Sequence, residues 1–264
     1  MNSSNLIHSS VDDRGVATIK IHRAEIHNAF DDQLIIEMIS AFDAVGANSD
    51  VRIVVLASEG KSFSAGADLN WMRRMADYTD AENLEDARGV ANLLSAIAFC
   101  PKPVIARVQG AALGGGVGLA AACDIAIGTS SAFFGLTEVR LGVIAGTISP
   151  YVIRAIGERQ AGRYMISGER FDATEAHRLG LLHKVVDLEN LDEAIEDMIS
   201  ELLKNSPDAM VRSKALIAAV ANRPVDDAVK EDTAQRIADA RASDEGKEGL
   251  DAFLNKRKPA WLPQ

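Results

Sequence analysis

The chain is short of cysteine, of positive charge and of long apolar runs, and each shortage excludes something. Only Cys100 and Cys123 occur in 264 residues. Two cysteines build no disulfide framework, so the expected setting is reduced and cytoplasmic. Lys and Arg number 28 against 38 Asp and Glu, a net charge of −10. A polyanion such as nucleic acid is repelled on average by that balance. No run approaches the roughly 18 uninterrupted apolar residues of a membrane-spanning helix. Met1 to Asp13 has no basic segment followed by an apolar one, so no secretory leader is expected. The five histidines show no metal-ligand spacing, so no metal is expected. What remains is 47% hydrophobic and 25% charged, the profile of a globular protein with a substantial core.

The patterning is strand and helix in alternation. Gly15 to His22 alternates and is rich in β-branched residues, which predicts a strand. Asn28 to Val45 repeats apolar residues at helical spacing through Leu34, Ile35, Met38, Ile39, Phe42 and Val45. Arg52 to Ser58 is a short apolar run suited to a strand covered on both faces. A loop over Gly60 to Gly66 and a helix over Ala67 to Met75 follow. Val104 to Val108 reads as strand, Gly114 to Cys123 as helix and Asp124 to Ile127 as strand. This alternation predicts an α/β architecture of parallel character. From about Thr147 the reading is nearly all helix. Leu191 to Lys204, Asp208 to Ala221 and Val225 to Ala240 are amphipathic, and Ser206-Pro207 separates the first two.

Three segments have features that chemistry can use. In Ser62 to Met72, Gly66 stands where a loop turns into a helix. Glycine allows close backbone approach to a ligand, and the free N–H groups of a helix start favour a negative oxygen. The alternative is a plain turn with Asp68 as the helix cap. In Val108 to Ala120, Gly114-Gly115-Gly116 leads from a strand into an apolar helix. That is a second backbone-lined anion site or, equally, a tight helix contact. It lacks the Lys-Ser/Thr ending of a phosphate loop and the spacing of a dinucleotide fingerprint. In Phe133 to Gly146, Glu138 stands among Phe133, Phe134, Leu136, Val139, Leu141 and Val143. Such surroundings desolvate a carboxylate and raise its pKa toward acid/base use. The alternative is an exposed glutamate paired with Arg140 or Arg163.

Taken together and in this order, the segments resemble the enoyl-CoA hydratase/isomerase (crotonase) superfamily. The resemblance runs through Asn28-Ala-Phe30, Ala65-Gly-Ala-Asp-Leu69 and Pro103-Val-Ile-Ala106. It continues over Gly110 to Gly116, Ala122-Cys-Asp-Ile125, Phe134 to Glu138 and Ala252 to Lys258. It implies a spiral α/β core over residues 1–195 and a helical, trimer-forming region over 196–264. It further implies that the backbone N–H groups of Ala67 and Gly115 form an oxyanion hole, with Glu138 as acid/base. Coenzyme A contacts fall on Ala24, Glu25, Ala65, Asp68 and Leu69, and on Phe253 and Lys256 from a neighbouring subunit. Coenzyme A is part of the substrate, so no separate cofactor is implied. The chain is expected to assemble as a trimer or a pair of trimers, with no nucleic-acid or membrane partner. Asp124 reads as structural. Trp71, Met72 and Met75 read as acyl-pocket lining or plain core.

One departure stands out. Hydratases of this family use a second glutamate, and the matching position here is Gly118. Several stretches are similar to bacterial 3-methylglutaconyl-CoA hydratases of leucine breakdown. They are Gly66 to Met72, Gly114 to Leu119, Leu136 to Gly142 and Ile148 to Tyr151. Those proteins also carry glycine at that position. A substrate with a distal carboxylate would explain it. The missing side chain removes like-charge repulsion and makes room, and Arg140 or Arg88 would meet the distal charge. The implied activity is addition of water to an enoyl-CoA. The alternatives are an isomerase using Glu138 alone, or a non-catalytic binding protein of the same fold.

Overall fold

The computed structural model describes residues 6–262. Met1 to Asn5, part of the stretch read for a leader, lie outside the described residues. The chain opens with β1 (Ile7–Val11), β2 (Val16–Ile21), α1 (Asp32–Ala47), β3 (Ile53–Ser58), β4 (Ser62–Ser64), α2 (Leu69–Met75) and α3 (Asp80–Ala98). It continues with β5 (Val104–Val108), β6 (Ala111–Leu113), α4 (Gly115–Ala122), β7 (Ile125–Thr129), β8 (Phe133–Gly135) and a 3-10 turn, Glu138–Leu141. Then come α5 (Ser149–Ile156), α6 (Glu158–Ser167), β9 (Arg170–Asp172), α7 (Ala173–Leu179) and β10 (Lys184–Val186). Four helices follow: α8 (Leu191–Leu203), α9 (Pro207–Val220), α10 (Asp227–Ala242) and α11 (Asp244–Leu254).

Two sheets result. The larger has the order β1-β2-β3-β5-β7-β10 and the smaller β4-β6-β8-β9. Three successive passes build both. Each pass lays a strand in the larger sheet (β3, β5, β7), then a three-residue strand in the smaller (β4, β6, β8), then enters a helix or 3-10 turn. Neighbours β4, β6 and β8 run parallel. Their exits therefore leave the sheet at the same edge, and this is what gathers the site. All six residues of β3 are buried, as its continuous apolar run predicts for a strand covered on both faces. One face packs Val54 and Leu56 with α1, α3 and α4 in the main core. The other packs Ile53, Val55 and Ala57 with Leu191, Ala194, Ile195 and Ile199 of α8. Each such aliphatic side chain contributes about 1.5–3 kcal/mol by burial. The division expected between residues 195 and 196 falls within α8, so this helix runs across it.

Several boundaries differ from the sequence reading, each for a local reason. α1 starts at Asp32, not near Asn28. Asp31 caps it by accepting from Leu34 N, while Asn28 is buried with φ 54°. The Asn28 amide donates to Glu59 O and Ser62 O. β4, β6, β8 and β9 are three residues each, too short for an alternating pattern to register. β9 and β10 also interrupt the region read as all helix. α3 is the longest helix at 19 residues, and the patterns above assign nothing there. Its mark is a capping box, with Thr79 accepting from Glu82 N and the Glu82 carboxylate accepting from Thr79 N. The break at Ser206-Pro207 is where α9 begins: Ser206 accepts from Ala209 N, and Pro207 occupies the first turn.

Candidate active site

Ala65 to Asp68 leave β4, Gly114 and Gly115 leave β6, and Leu136 to Glu138 leave β8, all at one edge of the smaller sheet. The contacts among these exits are close. Gly66 has φ +86°, and a Cβ there would stand 2.8 Å from Leu113 O and 3.5 Å from Gly115 N. Glycine is required on both counts. Gly114 has φ +51°, and its Cβ would stand 3.2 Å from Glu138 Oε1. The carboxylate thus faces the residue just before Gly115, and Gly115 N faces the residue just before Ala67.

The two N–H groups are left free by the way each loop is tied. Phe30 and Ala67 form a parallel bridge. Phe30 N donates to Gly66 O at 2.8 Å and Phe30 O accepts from Asp68 N at 3.0 Å. In a parallel bridge the middle residue turns its own N–H to the other side, so Ala67 N–H points away from Phe30. Gly115 opens α4, where first-turn N–H groups have no partner in the helix. Among the described residues neither N–H donates to a protein acceptor. Gly114 N is spent on Gly135 O at 2.8 Å, which fixes the loop. The Phe30 ring lies on Gly115, where any Cβ would come within 2.1 Å of Phe30 Cζ.

Glu138 is half-buried, and burial raises its pKa above the ordinary glutamate value against the lowering effect of its own N–H. Its Oε2 is buried without a hydrogen-bond partner. No ion pair reaches it among the described residues; Arg163 is held by Glu169 instead, at 2.7 Å. The exposed-pair reading therefore fails. The apolar neighbours in sequence are not all its shield, however. Val139, Leu141 and Val143 are 37%, 62% and 55% exposed, because the 3-10 turn directs them outward while the carboxylate turns in toward Gly114. What the arrangement offers is two unpaired donors for a developing oxyanion and one carboxyl poised to exchange a proton.

Gly118 lies in the first turn of α4, its N–H donating to O of the cap residue Gly114 at 3.3 Å. A Cβ there would come within 2.3 Å of Ile148 Cγ2 and 2.8 Å of Ile148 Cβ, with Leu94 Cδ2 at 3.5 Å. Ile148 is 2% exposed. The missing side chain has therefore not left an opening, contrary to the sequence reading. An isoleucine fills the place.

The remaining candidates divide. Ala65 N donates to His27 O at 2.9 Å, which joins its loop to the exposed 3-10 turn containing Ala24 and Glu25. Leu69 is exposed at the start of α2. The Asp68 side chain caps α2 by accepting from Asn70 N and Trp71 N and stands 3.7 Å from Arg23. Trp71 is core, its Nε1 donating to Asp86 at 2.8 Å. Asp124 joins α9 to the core, accepting from Lys214 Nζ at 2.6 Å and Val104 N at 2.8 Å. Phe253 and Lys256 are exposed at the end of α11, which packs chiefly on α9 and α10. Sequence reasoning names Phe30 and Ile148 only within motifs and gives neither a role, because they meet the site through tertiary contact.

Comparison with known proteins agrees with this geometry. The family model described as enoyl-CoA hydratase/isomerase matches residues 12–264. A crystal structure from Legionella pneumophila, described under enoyl CoA hydratase/isomerase (crotonase), is 48% identical. It covers 98% of this chain and 100% of its own, with a TM-score of 0.92. An enoyl-CoA hydratase from Shewanella pealeana is 44% identical over 97% of this chain and 96% of its own, with a TM-score of 0.94. On fold, site and kinship together, the chain belongs to the enoyl-CoA hydratase/isomerase family.

Proposed function

We propose that the protein adds water across the 2,3 double bond of an enoyl-CoA thioester, with Glu138 as its one carboxyl acid/base. The observation that carries this reading is the buried, unpartnered Glu138 Oε2 beside the two unspent N–H groups. The thioester oxygen sits on Ala67 N–H and Gly115 N–H. Glu138 takes a proton from water as the water oxygen bonds to Cβ, and the electron pair of the double bond moves into the thioester as an enolate. The two N–H donors stabilise that oxyanion, each contributing about 3 kcal/mol of barrier. Glu138 then returns the proton to Cα, so atoms and charge balance.

The acyl group we assign carries a distal carboxylate, as in 3-methylglutaconyl-CoA of leucine breakdown. Replacement of a second glutamate by Gly118 and Ile148 supports it, because one less negative charge then faces a dianionic acyl group. Arg140 is our choice for the distal charge. It shares the 3-10 turn of Glu138 and makes no ion pair among the described residues, whereas Arg88 is paired with Glu85 at 3.2 Å. The exposed α11 residues Phe253 and Lys256 we assign to coenzyme A bound by a neighbouring subunit, in a trimer or pair of trimers. Two buried free thiols suit a reduced cytoplasmic setting. A single carboxyl also suits a 1,3-proton shift, so isomerisation is the second reading. Turnover of crotonyl-CoA, 3-methylcrotonyl-CoA, 3-methylglutaconyl-CoA and a 3-enoyl-CoA separates them. The fastest hydration should be of the glutaconyl thioester; turnover of the 3-enoyl substrate alone would establish the isomerase.

A further inference from the structure

Away from this site, three side chains converge at one end of the larger sheet. β1 and β2 pair antiparallel with His8 opposite Lys20. β2 and β3 pair parallel with Ile21 opposite Ser58, so the next residues, His22 and Glu59, stand side by side. Side chains alternate along strands, which puts His8, His22 and Glu59 on one face, the face that packs against α8 further along. The backbone beneath them is fixed. His22 N donates to Leu6 O at 2.8 Å and Glu59 N to Ile21 O at 3.0 Å. The two imidazole rings are 4.6 Å apart, and His22 Nδ1 is 2.5 Å from Glu59 Oε2. One ligand atom from each residue lies within 4.8 Å of the other two.

We propose that His8, His22 and Glu59 form a surface site for a zinc-class divalent cation, taken by two imidazole nitrogens and one carboxylate oxygen. Zinc binds such donors at about 2.0–2.2 Å in tetrahedral geometry, which sets donors around one ion about 3.4 Å apart. Side-chain rotation closes the difference, since His8 and His22 are exposed and Glu59 half-buried. The ion takes the place of the direct contact between His22 Nδ1 and Glu59 Oε2, and water completes its shell. Two imidazoles favour zinc, nickel or copper over magnesium or calcium, which take oxygen donors. Bound there, the ion clasps the edge strand β1 to β2 and β3. The ligands come from β1 and from the residues just past β2 and β3, so no short spacing in the sequence announces them.

Calorimetric titration of zinc chloride into tag-free, metal-free protein tests the site. One ion per chain with a dissociation constant in the micromolar range is expected. His8→Ala, His22→Ala and Glu59→Gln should each weaken binding about tenfold or more, and zinc should raise the melting temperature of the wild type but not of His22→Ala. Absence of saturable binding, undiminished binding in both histidine variants, or magnesium binding as tight as zinc would overturn the proposal. None of the three has a part in the proton transfer assigned to Glu138, so turnover of the metal-free variants at saturating acyl-CoA should match the wild type.

Discussion

At the scale of single residues, Glu138 carries a cost that stability measurements expose. Its pKa is raised in the fold above 4.5 by burial. The folded state therefore binds a proton more readily than the unfolded chain does. That contribution favours folding at pH below the ordinary value and is lost as pH rises through the raised one. Glu138→Gln should melt higher than the wild type at neutral pH, and the gap should shrink as pH falls through the raised pKa toward 4.5. Turnover of the wild type should rise with pH through the raised pKa, since only the carboxylate can take a proton from water. Gly118 yields a second test. Gly118→Glu alone drives its Cβ to within 2.3 Å of Ile148 Cγ2, and such overpacking costs roughly 1–3 kcal/mol. Ile148→Ala alone opens a cavity at about 2–5 kcal/mol. The double variant should be more stable than the sum of the two losses, as coupling at a shared site requires. Strict additivity in denaturant melts would show that Ile148 does not occupy the position.

At the scale of elements, the site depends on how two loops are tied, and the Ala67 N–H is the cleanest handle. Replacing the Ala67 amide by an ester removes one donor and adds no atoms. That N–H supports no bond in the fold, so melting should hardly change while turnover falls roughly 10²–10³-fold. Unchanged turnover in the ester variant would remove Ala67 from the oxyanion hole. A side-chain or proline substitution at Gly115 is a poorer probe, because its Cβ would enter the Phe30 ring. Asp68→Ala should cost about 1 kcal/mol through the lost cap of α2. These loops were legible in the sequence because glycine at a forced turn is a local signal: Gly66 and Gly114 are required by backbone angle and by contact with residues far along the chain. The strands that lead into them were not legible. Three-residue strands carry too little alternation, and α3 was passed over although Thr79 and Glu82 spell its start. The Ile148 contact was beyond reach of any local pattern, since it depends on α5 packing against α4.

At the scale of the whole molecule, three passes of one strand–strand–helix unit place three chemical parts at one edge, which is why residues far apart in sequence meet. The last third does something else. α11 packs on its own helical neighbours and leaves Phe253 80% and Leu254 76% exposed. If a neighbouring subunit's α11 completes the coenzyme A site, Lys256→Ala should raise KM for acyl-CoA severalfold and leave kcat nearly unchanged. Sedimentation should give three or six chains per particle; a fully active monomer would contradict this assembly. The most direct test of the account as a whole is to measure acyl-CoA affinity and hydration in the wild type and in Glu138→Gln side by side. Affinity should be equal within about twofold, while turnover of the preferred enoyl-CoA should fall roughly 10²–10⁴-fold. A folded variant that binds acyl-CoA and keeps more than about a tenth of the activity would contradict the assignment of Glu138.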